Sequence, residues 1–384
     1  MIGIVFAAVV AASSLFARDL QKEIDDLAAA GGGTLALEAG EYKTGALFFK
    51  PGVNLHLAKG ATIVGVDDEA GYPKMTTRIE GETCEYYPAL INADGCDGFT
   101  ITGEGTVDGH GANTWEEFWI RRAAARAEGK DFRNKWLMRP RVLYVSNSKN
   151  VTVKGVTFKN SKFWTTHYYN CENVLVEDCT ILAEILKDSH GKELKGPSTD
   201  AVDIDKCRDF TVRGCTISVN DDGVAVKGGK GPWADDYAKH PENGPSSNVI
   251  VEKCVFKYPT HSAVTLGSEC PECANVVFRD STVEGVGNML CIKMRTDTPQ
   301  HYSKVLVDNV TGYTKMFLSC GAWSQYEDIG DRTKADVKSY CDDVTMRNCR
   351  IKCDRKSNLK ADPERFELTN YREENCEVEI AKKK

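Results

Sequence analysis

The sequence predicts an all-β fold: a single right-handed parallel β-helix with an N-terminal capping helix. Three observations predict it: a nine-residue pattern that recurs, the uneven spacing of its copies, and helix signals confined to the start of the chain. Cys171-Glu-Asn-Val-Leu-Val-Glu-Asp-Cys179, Cys207-Arg-Asp-Phe-Thr-Val-Arg-Gly-Cys215 and Cys341-Asp-Asp-Val-Thr-Met-Arg-Asn-Cys349 share one plan. Ser246–Cys254, Cys96–Glu104, Ser148–Val156 and Cys273–Ser281 are variants of it. Each unit is a polar turn, then alternating apolar residues, then a polar pair. Alternation with period two gives a strand with one buried face.

Between Ser148 and Cys273 the units follow one another at 23, 36, 39 and 27 residues. Propeller blades have similar lengths. Uneven intervals fit a solenoid instead, with coils of roughly 20–25 residues and loops of variable length inserted on one side. Stacking puts parallel strands ~4.8 Å apart and buries faces that no unit could bury alone. The repeated cysteines then fall at equivalent inward positions. They can sit there as small apolar groups or form disulfides between coils. Fifteen cysteines is an odd number, so at least one thiol stays free or pairs outside the chain. Cys270-Pro-Glu-Cys273 has CxxC spacing but no second pair to complete a zinc site.

Met1 to Ala17 is almost wholly apolar and ends in small residues. It reads as a signal peptide, too short for a spanning helix of ~20 residues. Residues 18–384 are then one catalytic domain, secreted or periplasmic. From Asp19 to Ala30, the apolar residues Leu20, Ile24, Leu27 and Ala28 have helical spacing, and Gly31-Gly32-Gly33 ends the helix. Loops interrupt the coils at 62–87, 115–140, 183–197 and 228–245. The charged segment from Asp354 to Lys384 closes the far end. The net charge of −7, with no long Lys/Arg run, excludes a nucleic-acid arm, and no later stretch could span a membrane.

Two acidic clusters carry the chemistry: Ser198–Asp205 with Asp200, and Asn220–Lys227 with Asp221 and Asp222. Asp200 and Asp221 are 21 residues apart, close to one coil, so they become neighbours on adjacent rungs. Carboxylates held that close repel when ionised, and at least one pKa rises. A raised acid beside an ionised carboxylate suits glycosidic bond cleavage. Thr260-His261-Ser262 follows on the next coil, and Cys291-Ile-Lys293-Met-Arg295 on the one after. Alternation puts Lys293 and Arg295 on one face. Both cations suit a sugar carboxylate, Arg bidentately. Asp203 and Asp205 read as turn residues or as supports behind the site.

These residues resemble the polygalacturonase family of glycoside hydrolases, in its bacterial and plant-like branch. Its motifs Asn-Thr-Asp, Gly-Asp-Asp, Gly-His-Gly and Arg-Ile-Lys correspond to Ser198-Thr-Asp200, Asn220-Asp-Asp222, Thr260-His-Ser262 and Cys291-Ile-Lys293. The likeness includes Leu55–Ala61, Ile101–Gly109 and Phe163–His167, and runs from about residue 30 to 300. The resemblance implies hydrolysis of α-linked galacturonic acid in pectin, an acidic plant cell-wall polysaccharide, with inversion and without metal or cofactor. The chain is expected to be a monomer with no nucleic-acid or membrane partner. The resemblance makes Asp221 the general acid and Asp200 with Asp222 the pair that activates water. His261 supports the acid and Lys293 binds the sugar carboxylate. Trp164 and His167 border the cleft, His167 as a substrate-binding residue. Cys291 stands where the family has arginine and Ser198 where it has asparagine. Arg295 is expected to supply the missing guanidinium. The alternatives are a hydrolase of rhamnogalacturonan or xylogalacturonan, a calcium-dependent pectate lyase, and an inactive pectin-binding β-helix.

Overall fold

The computed structural model describes residues 18–323, 328–359, 362 and 364–381. The expected signal peptide, residues 1–17, lies outside them. Helix α1 (Leu20–Ala29) forms where its spacing predicts. The Asp19 side chain accepts from the Lys22 N–H and caps it, and Leu20 and Ile24 are buried against the first coils. Gly31, Gly32 and Gly33 all take positive φ and end it.

From Gly33 onward the chain winds in coils that contribute strands to three parallel rows. The first row is an 11-stranded sheet, from Gly33–Leu37 to Phe366–Glu374. The second runs through Ala61–Gly65, Thr106–Asp108, Thr157–Lys159, Thr180–Leu182, Thr216–Ser218 and Val255–Lys257. The third runs through Ile91–Asp94, Leu143–Ser146, Thr166–Tyr169, Val202–Asp205, Val224–Lys227 and Ser262–Leu266. The last two rows fuse at Thr282–Met294, a 13-residue strand that pairs with both. Inward residues of all three rows form one continuous apolar core from Leu20 to Phe366. This is the parallel β-helix that the repeats predict.

The polar residues of the nine-residue unit have a backbone reason. Its third and eighth positions turn the chain through left-handed conformations: Asn173 and Asp178, Asp209 and Gly214, and Asp343 and Asn348 have φ of 56° and 54°, 55° and 65°, and 58° and 53°. Asn, Asp and Gly are the residues that tolerate this region. The side chains also link coils: Asn173 donates to Asn150 at 2.7 Å, Asn248 to Asp209 at 2.7 Å and Asn275 to Asn248 at 3.0 Å. The cysteines stack as expected and are free thiols, all but Cys84 and Cys376 fully buried. The Cys171 N–H, for example, donates to Cys207 Sγ at 3.3 Å.

Two expectations gain detail. The segment after Asp354 ends the solenoid as further coils. Arg350–Leu359, Phe366–Glu374 and Glu377–Ile380 continue the sheets in register, because Asn370 and Asn375 repeat the same left-handed turns. The expected loops also carry structure. Residues 62–87 contain an antiparallel hairpin, Met75–Ile79 with Glu82–Tyr86. Residues 115–140 contain most of helix α2 (Ala112–Ala127) and a short 3₁₀ turn, Asn134–Trp136.

Asn248 sits at φ 55° and is hydrogen-bonded to the coil on either side. Asn248→Val is expected to cost about 1–2 kcal/mol or more, the left-handed penalty for a residue with Cβ, and Asn248→Gly distinctly less. Urea unfolding of both variants checks this ordering.

Candidate active site

The catalytic candidates stand where the chain enters the third row of strands. Asp200 precedes Val202–Asp205, Asp221 and Asp222 precede Val224–Lys227, and His261 precedes Ser262–Leu266. Backbone hydrogen bonds fix their register: Thr165 N–H to Asp200 O at 2.7 Å, Ala201 N–H to Asp222 O at 2.9 Å, and His261 N–H to Asp221 O at 2.9 Å. Consecutive rungs thus carry Asp200, the Asp221–Asp222 pair and His261, as the spacing predicts. On the third row itself, Val202 and Ile204 point into the core and Asp203 and Asp205 point out. One outward column runs Tyr144, His167, Asp203, Ala225, Thr265, Cys291. Asp205 and Lys227 lie side by side in the next.

The three carboxyls are not equivalent. Lys293 Nζ lies 2.5 Å from Asp222 Oδ2, and His261 Nδ1 lies 3.3 Å from Asp222 Oδ1. Burial alone would raise Asp222, but the Lys293 and His261 charges outweigh it and hold its pKa well below the ordinary carboxylate range. Burial raises Asp221, helped by the Asp222 charge. Burial also raises Asp200, with Asp203 and Asp221 adding to it. His261 is raised by its bond to Asp222 and is the exposed member of the group. Asp221, Asp222 and His261 present ligand atoms within 4.8 Å of one another, close enough to hold a cation. The Lys293 ammonium on Asp222 already brings positive charge to that spot.

Lys227, which ends the second acidic cluster, is the central cation of the site and was missed from the sequence. It is buried, with Nζ at 3.3 Å from Glu269, 3.4 Å from Asp203 and 3.9 Å from Asp200, and 4.5 Å from the Trp164 ring centre. Burial would strip its proton, but Glu269, Asp203 and Asp200 keep it charged. Asp203 is pushed up to about 8 by burial, with Lys227 opposing. Asp203 and Asp205 are therefore buried strand residues rather than turn residues. Period-two alternation from Val202 could have revealed Asp203, Asp205 and Lys227 as one outward group. Nothing in the sequence marks Glu269.

Two expected substrate contacts do not hold. His167 is 0% exposed. Its Nδ1 is 2.6 Å from Arg141 and its Nε2 3.4 Å from Asp205, and burial lowers its pKa to about 4. It is a neutral prop beneath the site, because the hairpin Met75–Tyr86 covers it. Arg141 donates to Arg78 O and to Thr77 Oγ1 of that hairpin, at 2.9 and 2.8 Å. Arg295 shares a face with Lys293, but its fork is taken by Asp297, at 2.6 and 2.5 Å. Its guanidinium is thus not free to replace the arginine absent at Cys291. Trp164 is buried and packs under Lys227.

The model of the glycosyl hydrolases family 28 matches residues 74–383. An endo-polygalacturonase of Pectobacterium carotovorum subsp. carotovorum is 26% identical over 360 residues, which is 84% of this chain and 81% of that protein. A probable polygalacturonase of Vitis vinifera is 25% identical over 258 residues, covering 66% of this chain and 47% of the grape protein. The chain thus spans about half the length of that relative. Among solved structures, an exopolygalacturonase from Thermotoga maritima superposes with a TM-score of 0.67 at 22% identity, over 94% of this chain and 87% of that one. That likeness establishes the fold.

Lys227→Met leaves Asp200, Asp203 and Glu269 without their shared cation. The expected loss is about 3–5 kcal/mol at pH 7, as for breaking a buried pair. Burial alone would raise Glu269, yet Lys227 and Arg295 hold its pKa well below the ordinary value. Such pairing is fully present above the unfolded carboxylate value of about 4.3 and is lost as pH falls from there through the depressed folded value. Thermal melts of wild type and variant should therefore stay apart from pH 7 to about 4.3 and converge below it. A gap that widens toward acid would refute this account.

Proposed function

This chain belongs to the glycosyl hydrolases family 28, and on that premise we propose that it hydrolyses α-linked galacturonic acid bonds of pectin with inversion. The observation that carries the reading is the split among the carboxyls: Asp222 is held low by Lys293 and His261, beside Asp221, which burial and the Asp222 charge raise. Two carboxyls driven apart in pKa are the acid and base of an inverting hydrolysis. Asp221, partly exposed next to His261, gives its proton to the leaving glycosidic oxygen. Asp222 takes a proton from a water that attacks the anomeric carbon from the opposite face. Asp200 flanks the same water as a hydrogen-bond partner. The C–O bond to the leaving sugar breaks, the water's oxygen stays on the released residue with inverted configuration, and the proton ends on Asp222. Lys293, close to Asp222 and 4.9 Å from the exposed Trp323 ring, is the cation available to a sugar carboxylate.

Membership of this family favours hydrolysis over lyase chemistry. The intact acid–base split speaks against a purely binding role. Asp221→Asn and Asp222→Asn are each expected to lower kcat on polygalacturonate by about 10²–10⁴-fold with little change in KM. NMR of the first turnover is expected to show the inverted anomer. Equal release of reducing sugar by wild type and Asp221→Asn would sink the enzyme reading.

The polymer lies outside cells, and export is part of the proposal. The apolar stretch from Met1 to Ala17 supports it, and no helix among the described residues is long and apolar enough to cross a membrane. N-terminal sequencing of the exported protein is expected to begin at Arg18. An intact Met1 would count against export by this route.

A further inference from the structure

One side of the catalytic groove is walled off, and hydrolysis as such does not require the wall. The hairpin Met75–Ile79/Glu82–Tyr86 lies across the third row of strands. Its Arg78 reaches Asp205 at 3.2 Å and Asn243 at 2.8 Å, so the hairpin is bolted to the sheet and to the loop after Lys227. Tyr144 and His167 are 5% and 0% exposed beneath it. The hairpin turns on Glu80 and Gly81, both at positive φ, the rigid two-residue form. A Cβ on Gly81 would come within 2.8 Å of Glu269 Cβ and 3.1 Å of the Lys230 nitrogen, so the tip is pressed against the site's rim. Asn134 then ties the wall to the catalytic loop, donating to Glu80 at 2.9 Å and to Ser198 Oγ at 2.8 Å, two residues from Asp200.

Inside this wall lies a cavity of 280 Å³ lined by Glu80, Glu82, Lys135, Lys230 and Arg295. It is three ion pairs from Asp200: Arg295 to Glu269 at 3.6 Å, Glu269 to Lys227 at 3.3 Å and Lys227 to Asp200 at 3.9 Å. Its size is just below the ~300–1,000 Å³ range of drug-sized small-molecule sites, on the scale of a single sugar residue. Lys135 and Lys230 both pair with Glu82, which holds donors and acceptors in fixed positions. That lining suits sugar hydroxyls rather than a passing polymer. On the opposite side the surface opens, at His261 and Trp323.

The direction of the chain follows from the chemistry. Asp221 protonates the leaving oxygen beside exposed His261, so the leaving part of the polymer exits through the open side. The residue attacked at its anomeric carbon lies inward, facing the wall that the hairpin tip makes at Glu80 and Gly81. We propose that the enzyme removes single uronate residues from the non-reducing end, and that the Glu80–Glu82–Lys135–Lys230 cavity reads the free hydroxyls found only there. This rests on the polygalacturonase reading above.

The test is digestion of polygalacturonate by wild type, followed by chromatography and viscometry. Monogalacturonate as the sole early product, with slow loss of viscosity, is expected. A trimer with a 4,5-unsaturated non-reducing end lacks the terminal 4-hydroxyl and should be cut at least about tenfold more slowly than the saturated trimer, the effect of losing a hydrogen bond to charged groups. The double variant Lys135→Met/Lys230→Met should raise KM for the saturated trimer about tenfold and leave kcat within about threefold. Early dimers and trimers with a rapid fall in viscosity would overturn the proposal, and an unchanged KM would overturn the role of the cavity. No reducing sugar at all would instead refute the hydrolase reading, so the two failures are distinguishable.

Discussion

The site depends on two buried ammonium groups, Lys227 and Lys293. Around them the fold packs Asp200, Asp203, Asp221, Asp222 and Glu269, all buried apart from the edges of Asp221 and Glu269. Isolated buried carboxylates would each cost several kcal/mol. With Arg295 beside Glu269 and His261 beside Asp222, the cations are shared unequally, and geometry sets which acids are raised and which are lowered. Lys293 at 2.5 Å gives its charge to Asp222. Lys227 divides its charge among Glu269, Asp203 and Asp200 at 3.3 to 3.9 Å. The unequal distances lower one acid and leave its neighbour raised, and acid–base hydrolysis needs that inequality.

The parallel β-helix provides this crowding cheaply. Each coil returns the chain to the same side one rung further on, so residues about one coil apart become neighbours without any long-range fitting. The left-handed Asn, Asp and Gly positions hold the corners, and the apolar alternation holds the faces. Asp200 and Asp222 are brought together by the backbone bond from Ala201 N–H to Asp222 O, not by any attraction between their side chains. The scaffold's register opposes the carboxylate repulsion, and stacked coils on both sides supply the stability to do so.

Much of this was legible in the sequence, and the limits have physical causes. The repeats have period and spacing, so the solenoid, the capping helix and the rung-to-rung adjacency of Asp200, Asp221, Asp222 and His261 could be read. Lys293 fell on the expected face because alternation is strict within a strand. His167 and Arg295 were read as facing substrate for the same reason. Both do point outward, but a hairpin inserted some 80 residues earlier covers one, and Asp297, two residues on, claims the other. Alternation states which way a side chain points and not what lies over it. Glu269 escaped because its partner, Lys227, is 42 residues away. Loop-to-loop contacts of that kind carry no periodic signal.

Cys291 shows how the two levels combine. It stands in the outward column beside Thr265 and Ser319, where the family pattern has an arginine. Burial pushes its thiol up to about 11, so it stays neutral and cannot pair with a uronate carboxylate. A neutral, small side chain there leaves Lys293 as the cation on Asp222, while burial and the Asp222 charge still raise Asp221. The split between the two carboxyls thus stands without a guanidinium at this position.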